Sequence, residues 1–253
     1  MTTKIQLKIA DHLLVPFGRP KWDIERIKIV GVSTTATYIE SDTPLVHINR
    51  SEKKALRLRD FPEVFPGDFP SLLEQPEAIE FIREHLKKTC NLDTDFEKRF
   101  LDLYFAYCSS TVEPTKWELQ HHNREKLPPP KNDPDWVFDA LLPLPQAHLY
   151  SNDPLRENYS FVPDRMVKID FAFWTGAEIL AVEIDGSSHV GSESHVQKDR
   201  MLQRVGVPVF HILNAELLKH GQRVISHLLP PSVTHYWRSA EASFRCNPLG
   251  IPF

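Results

Sequence analysis

Two short apolar runs constrain this chain more than any other feature, because both carry carboxylates where strand interiors ordinarily carry none. The first is Lys168-Ile-Asp170-Phe-Ala-Phe-Trp174, and the second is Ile179-Leu-Ala-Val-Glu183-Ile-Asp185, followed by Gly186-Ser-Ser-His189. Strand side chains alternate between faces. Lys168, Asp170 and Ala172 therefore share one face of the first run, and Val167, Ile169, Phe171 and Phe173 share the other. Glu183 and Asp185 likewise share a face of the second. Glu183 follows Asp170 by thirteen residues and Asp185 lies two further on, the spacing of acids that a strand hairpin brings together. Charge crowded among apolar neighbours is costly unless a cation or a function compensates it. A hard divalent metal compensates it directly.

The surrounding order of elements frames that hairpin. To about residue 55, short β-like runs (4–9, 26–32 and 35–39) alternate with turn residues and suggest a small antiparallel sheet. Phe61-Pro-Glu-Val-Phe-Pro-Gly-Asp-Phe-Pro70 is expected to be non-helical through its repeated prolines, a boundary before a helix over 75–88. Asn91-Leu-Asp-Thr-Asp95 supplies cap residues for a helix whose apolar positions Phe96, Phe100, Leu101, Leu103, Tyr104 and Tyr107 run to about Cys108. From about 112 to 135 the chain turns polar and proline-rich, including Leu127-Pro-Pro-Pro-Lys131, and reads as an extended insertion. A helix over 135–142 and a strand over 146–150 follow. After the acidic strands come a helix over 195–205 ended by Gly206 and a strand over 207–213. Helix, strand, strand, helix, strand makes an α/β core whose last crossover can form a parallel pair. The expected division is a β-rich region of residues 1–90 ending in a helix, then a second domain of residues 91–253. Phe171, Phe173, Trp174, Phe100 and Tyr104 are expected to be core.

The bulk numbers narrow the function classes. With 253 residues, 41% hydrophobic, the chain can bury a real core. A formal charge of -4, from 30 basic and 34 acidic residues, advertises no global field for a polyanion, so any nucleic-acid surface must be local. Cys90, Cys108 and Cys246 are odd in number and widely spaced, which argues against a disulfide scaffold and a structural zinc site and suits a reducing cytoplasm. The beginning Met-Thr-Thr-Lys-Ile-Gln-Leu-Lys has no apolar h-region and no stretch is long and apolar enough to span a membrane. The expectation is a protein neither secreted nor membrane-inserted. His121-His122, His189, His195 and His211 show no two histidines at a ligand spacing with a third partner evident, so zinc is not expected.

Paired acids of this kind suit magnesium, which takes only oxygen ligands and serves phosphodiester hydrolysis by polarising a phosphoryl oxygen and activating bound water. At this point the residues resemble the PD-(D/E)xK restriction-endonuclease-like superfamily, where an Asp on one strand precedes a Glu-x-Lys on the next. More narrowly, Asp170-Phe, Glu183-Ile-Asp185-Gly186-x-x-His189, Lys198-Asp199-Arg200 and Gly206-Val207-Pro-Val-Phe look like a branch related to very-short-patch repair endonucleases. The resemblance covers about residues 95 to 214, less the insertion. It implies a restriction-endonuclease-like mixed sheet flanked by helices. It also implies metal ligation of Mg2+ or Mn2+ by Asp170, Glu183 and the main-chain carbonyl of Ile184, joined by Glu97 from the preceding helix.

One position departs from the superfamily pattern. Asp185 stands where the catalytic lysine usually sits, and an aspartate cannot orient the attacking water or offset developing charge in the same way. Lys198 could extend its ammonium into the cluster from the next helix, whose inner face it shares with Met201, Leu202 and Val205 by spacing. Alternatively, His189 could act as general base or phosphate ligand. Asp185 could also simply open the turn at Gly186. Arg165, Lys168, Arg200 and Arg204 place positive charge around the proposed site and are candidate nucleic-acid contacts. The expected function is a metal-dependent endonuclease, foremost on DNA. The alternatives are a nuclease-like binding or assembly module without catalysis, and a nuclease of RNA or branched DNA. Cutting both strands of a duplex admits a homodimer, though no sequence feature demonstrates one.

Overall fold

The computed structural model describes residues 2–5, 12–18, 28–32, 37–40, 44–49, 52–65, 75–90, 95–122, 134–150, 166–186, 193–204 and 206–234. Five strands open the chain: β1 (Thr2–Ile5), β2 (His12–Pro16), β3 (Lys28–Val32), β4 (Thr37–Glu40) and β5 (Leu45–Asn49). They form two small antiparallel sheets, ordered β1-β4-β3 and β2-β5. A single helical turn, α1 (Phe61–Val64), accepts Pro62 because the first turn of a helix has no backbone hydrogen bond to lose there. The proline-rich 61–70 segment is therefore not wholly non-helical as its composition suggests, and Phe61 and Phe65 stack with ring centroids 4.5 Å apart inside the core.

Next come α2 (Gln75–Lys88), whose limits match the sequence expectation, and α3 (Asp95–His122). The latter corrects the reading of an extended insertion from 112, since the helix, 28 residues long in all, continues through Pro114 to His122. A proline within a helix removes one backbone hydrogen bond, and a long helix can carry that loss. The Leu127–Lys131 run lies outside the described residues.

The central sheet is β6 (Leu144–Tyr150), β7 (Met166–Trp174), β8 (Ile179–Asp185) and β9 (Val209–Leu213), in that order. β6, β7 and β8 pair antiparallel. The helix α4 (Glu193–Arg204) then carries the chain over to β9, which pairs parallel with β8. Three short helices follow, α5 (Asn214–His220), α6 (Arg223–Leu228) and α7 (Pro231–Thr234). A mixed sheet flanked by helices is the α/β architecture that the order of sequence patterns suggested.

The apolar face of β7 packs on α3. Phe100 meets Phe171 with centroids 4.7 Å apart, and Tyr104 meets Phe173 at 5.5 Å while its hydroxyl donates to the Leu141 carbonyl at 2.8 Å. Phe100, Tyr104, Phe171 and Phe173 are completely buried. One hydrophobic cluster joins them to Val15, Phe17, Val46 and Ile48 from the N-terminal strands and to Ile212, Ile225 and Val233. Residues on both sides of position 90 thus share a core.

The β7–β8 turn is held by the Thr175 hydroxyl, which accepts the amides of Ala177 and Glu178, and by Gly176 with φ of 91°. A Cβ at Gly176 would stand 2.5 Å from the Lys53 carbonyl oxygen, so glycine is required both by conformation and by closeness. The segment after Lys53 ties that end of the sheet together. The Leu56 amide donates to the Trp174 carbonyl, the Leu142 amide to the Leu56 carbonyl, and Trp174 Nε1 to the Lys54 carbonyl.

Candidate metal and phosphodiester site

Strand register builds the site as a row across the sheet. Pro145 pairs with Phe171 and Ala147 with Ile169, which sets Gln146 opposite Asp170. Phe171 pairs with Val182, and continuing that register sets Asp170 level with Glu183. Glu183 in turn pairs with His211. Two acids that sequence spacing brought together on a hairpin therefore stand side by side.

Beyond Phe171 the ladder gives way to side-chain chemistry. The Ile184 amide donates to Asp170 Oδ2 at 2.8 Å, so a carboxylate takes a backbone donor of the neighbouring strand. Gln146 is buried, sits at φ of 50°, and donates from Nε2 to Glu97 Oε2 at 2.8 Å, with Asp170 Oδ1 at 3.5 Å. Positive φ is uncommon for a residue other than glycine and marks a backbone over-determined by its surroundings. Glu97, only 3% exposed near the start of α3, is thereby joined to Asp170.

Lys198 completes the group. Its Nζ lies 2.6 Å from Glu183 Oε1, delivered from α4. The contact is an ion pair outside hydrogen-bond alignment, and Oε1 has no aligned donor. Burial pushes the Glu183 carboxyl up to about 8, with the Asp170 charge adding to it and Lys198 opposing. Asp170 is also raised, by burial first, against the Ile184 amide and the charges of Lys198 and Lys168. Two neighbouring carboxyls whose charged forms are disfavoured by burial fit a hard divalent cation. Asp170, Glu183 and Glu97 are the side chains that could hold it.

Asp185 does not serve merely to open a turn. It is 6% exposed, with Oδ2 at 2.6 Å from His211 Nδ1 and Oδ1 at 3.6 Å from His195 Nδ1. The far side of the His211 ring, Nε2, lies 3.2 Å from Asp199 Oδ2. Burial works against the His211 imidazolium, but the bond to Asp185 and the charges of Asp199 and Asp185 outweigh it and raise its pKa. A third residue that the sequence did not show beside the histidines is present here, because the fold brings Asp185, His195 and His211 together.

The remaining candidates distribute plainly. Arg200 and Arg204 are exposed on α4, and Lys168 is partly exposed on β7 close enough to Asp170 to act on its charge. Arg165 and His189 lie outside the described residues. Cys90 and Cys108 are buried and belong to no disulfide. Among the described residues no helix is long and apolar enough to cross a membrane. Gln146, His195, His211 and Asp199 were not singled out as site residues from sequence. The only signal for Gln146 was a polar residue inside an apolar run, Leu144-Pro-Gln-Ala, and for the other three it was their spacing on α4 and β9. In comparison with known proteins, the chain matches no protein-family model, no curated protein and no solved structure at a significant level.

Proposed function

We propose that this protein is a metal-dependent nuclease, with Asp170 and Glu183 as ligands of Mg2+ or Mn2+ and Lys198 as the positive group beside them. The observation that carries the reading is the Lys198 contact with buried Glu183, beside half-buried Asp170. It supports Lys198 as the group standing in for the lysine that the Glu-x-Asp sequence lacks against the PD-(D/E)xK pattern. The lysine that the pattern places two residues after the glutamate arrives instead from α4, and Asp185 turns to the histidines.

A bound ion would supply a Lewis acid and an activated water. Glu97, held by Gln146, and the Ile184 carbonyl complete the oxygen set that the resemblance implies. Lys198 would orient the attacking water and offset charge developing on the phosphate, and in a low-dielectric setting such a fixed charge is worth far more than in water. Exposed Arg200 and Arg204, one turn apart, would take substrate phosphates. DNA is the first substrate to try, because the resemblance runs to DNA repair enzymes.

The test is cleavage of labelled duplex DNA with Mg2+ or Mn2+ and with chelator. Asp170→Ala and Glu183→Ala, checked for folding, should abolish turnover, and Lys198→Met should lower it by about 10²- to 10³-fold, the scale of losing one electrostatic group. Wild-type rates in both acid variants would sink the assignment. Single strands, branched duplexes and RNA assayed in parallel identify the substrate class.

A further inference from the structure

We infer that Asp185, His195 and His211 form a second metal site, distinct in chemistry from the oxygen-only acids and suited to a borderline transition ion such as zinc. The inference does not depend on the nuclease reading. Three ligand atoms, one from each residue, lie within 4.8 Å of one another. Tetrahedral zinc has bonds of about 2.0–2.2 Å, which puts ligand atoms roughly 3.4 Å apart. His195 Nδ1 stands 3.6 Å from Asp185 Oδ1, and His211 Nδ1 stands 2.6 Å from the other oxygen, Oδ2, a separation that opens by less than an ångström to admit an ion.

The arrangement around the ligands points the same way. His211 would bind through Nδ1, while its Nε2 faces Asp199 Oδ2 at 3.2 Å. A metal-bound histidine characteristically donates its other ring N–H to a carboxylate, which fixes the tautomer and strengthens the ligand. The two rings lie 28° from parallel with centroids 6.5 Å apart, and each presents its Nδ1 to a different oxygen of one carboxylate. Two imidazoles and a carboxylate select for zinc, cobalt, nickel or iron over magnesium. Three protein ligands leave a fourth position for water, the pattern of sites that act on substrates. Elements cooperate to build it: β8 gives Asp185, β9 gives His211, and α4 gives His195 with Asp199 four residues on.

Cobalt(II) tests the site because its visible spectrum reports ligand geometry. Metal-free protein titrated with Co2+ should develop a four- or five-coordinate spectrum that added Zn2+ removes. His195→Ala and His211→Ala should abolish it, Asp199→Asn should weaken Co2+ binding by about 10- to 100-fold, and Glu183→Gln should leave it intact. The Asn variant keeps the shape of the side chain, so it carries the test if a histidine variant fails to fold. Absence of Co2+ binding, or binding that survives the histidine changes and disappears in Glu183→Gln, overturns the inference. DNA cleavage in Mg2+ by the same variants is scored separately, so loss of the nuclease reading leaves this result standing.

Discussion

Glu183 is the residue whose chemistry is most constrained by its position. Raised from 4.5 to about 8, it keeps its proton in the folded state over a range in which the unfolded chain has released it. Stability of the metal-free protein should therefore fall as pH rises from about 4.5 to about 8 and level off above, because the native state binds more protons in that window. His211 works in the same direction. Its raised pKa contributes stability that is present at low pH and lost as the ring deprotonates. Denaturant melts in chelator should show this slope, and Glu183→Gln should flatten it, raising stability near the alkaline end. Magnesium should restore stability most strongly at that end, where the ligand is already ionised. Asp170 and Glu183 were legible in the sequence because period-two alternation places them without help from the fold. Gln146 and the pairing of Asp185 with His211 were not, since register between strands remote in sequence decides what stands opposite what.

Among the elements, α4 shows how one helix can divide its work by face. His195, Lys198 and Asp199, spaced three and four apart, turn to the sheet together with completely buried Leu202, while Arg200, Gln203 and Arg204 are exposed. Few apolar anchors hold it, so Leu202→Ala should cost about 2–5 kcal/mol, the range for a buried leucine. Arg200→Ala should cost no more than about 0.5 kcal/mol of stability yet weaken DNA binding with a reduced salt dependence. Chemical denaturation and binding isotherms at two salt concentrations separate the effects. The inward place of Lys198 could be read from its spacing to Met201 and Leu202. The true length of α3 could not, because Pro114 and the polar run after Val112 look like the end of a helix, whereas the helix runs on to His122.

For the whole molecule, the decisive fact is that the N-terminal strands and the central sheet contribute to one hydrophobic cluster. A boundary near residue 90 follows from composition, yet Phe17 meets Phe65 edge-on at 5.3 Å, and the Gly18 amide donates to the Pro145 carbonyl of β6 at 2.9 Å. Such shared burial couples the parts energetically. A fluorescent probe placed on β2 and the far-ultraviolet signal should therefore report coincident unfolding transitions. Two separated transitions would show that the regions fold independently. Composition could not reveal this, because a proline-rich segment reads as a linker until Phe61 and Phe65 are seen to be buried.

The lysine that balances the acids is carried by the crossover helix and not by their own strand, and this has a consequence in time. As the chain emerges or refolds, the β7–β8 hairpin can form from local contacts before α4 and β9 arrive, since closing short loops precedes non-local pairing. At that stage the two carboxyls face each other with no ammonium between them. Pulse-labelled hydrogen exchange should accordingly find the amides around Glu183 protected no earlier than those of α4, whereas the Phe173–Leu180 end of the same hairpin closes first. The sheet is thus expected to complete itself from its apolar turn toward its charged end, with the chemistry assembled last.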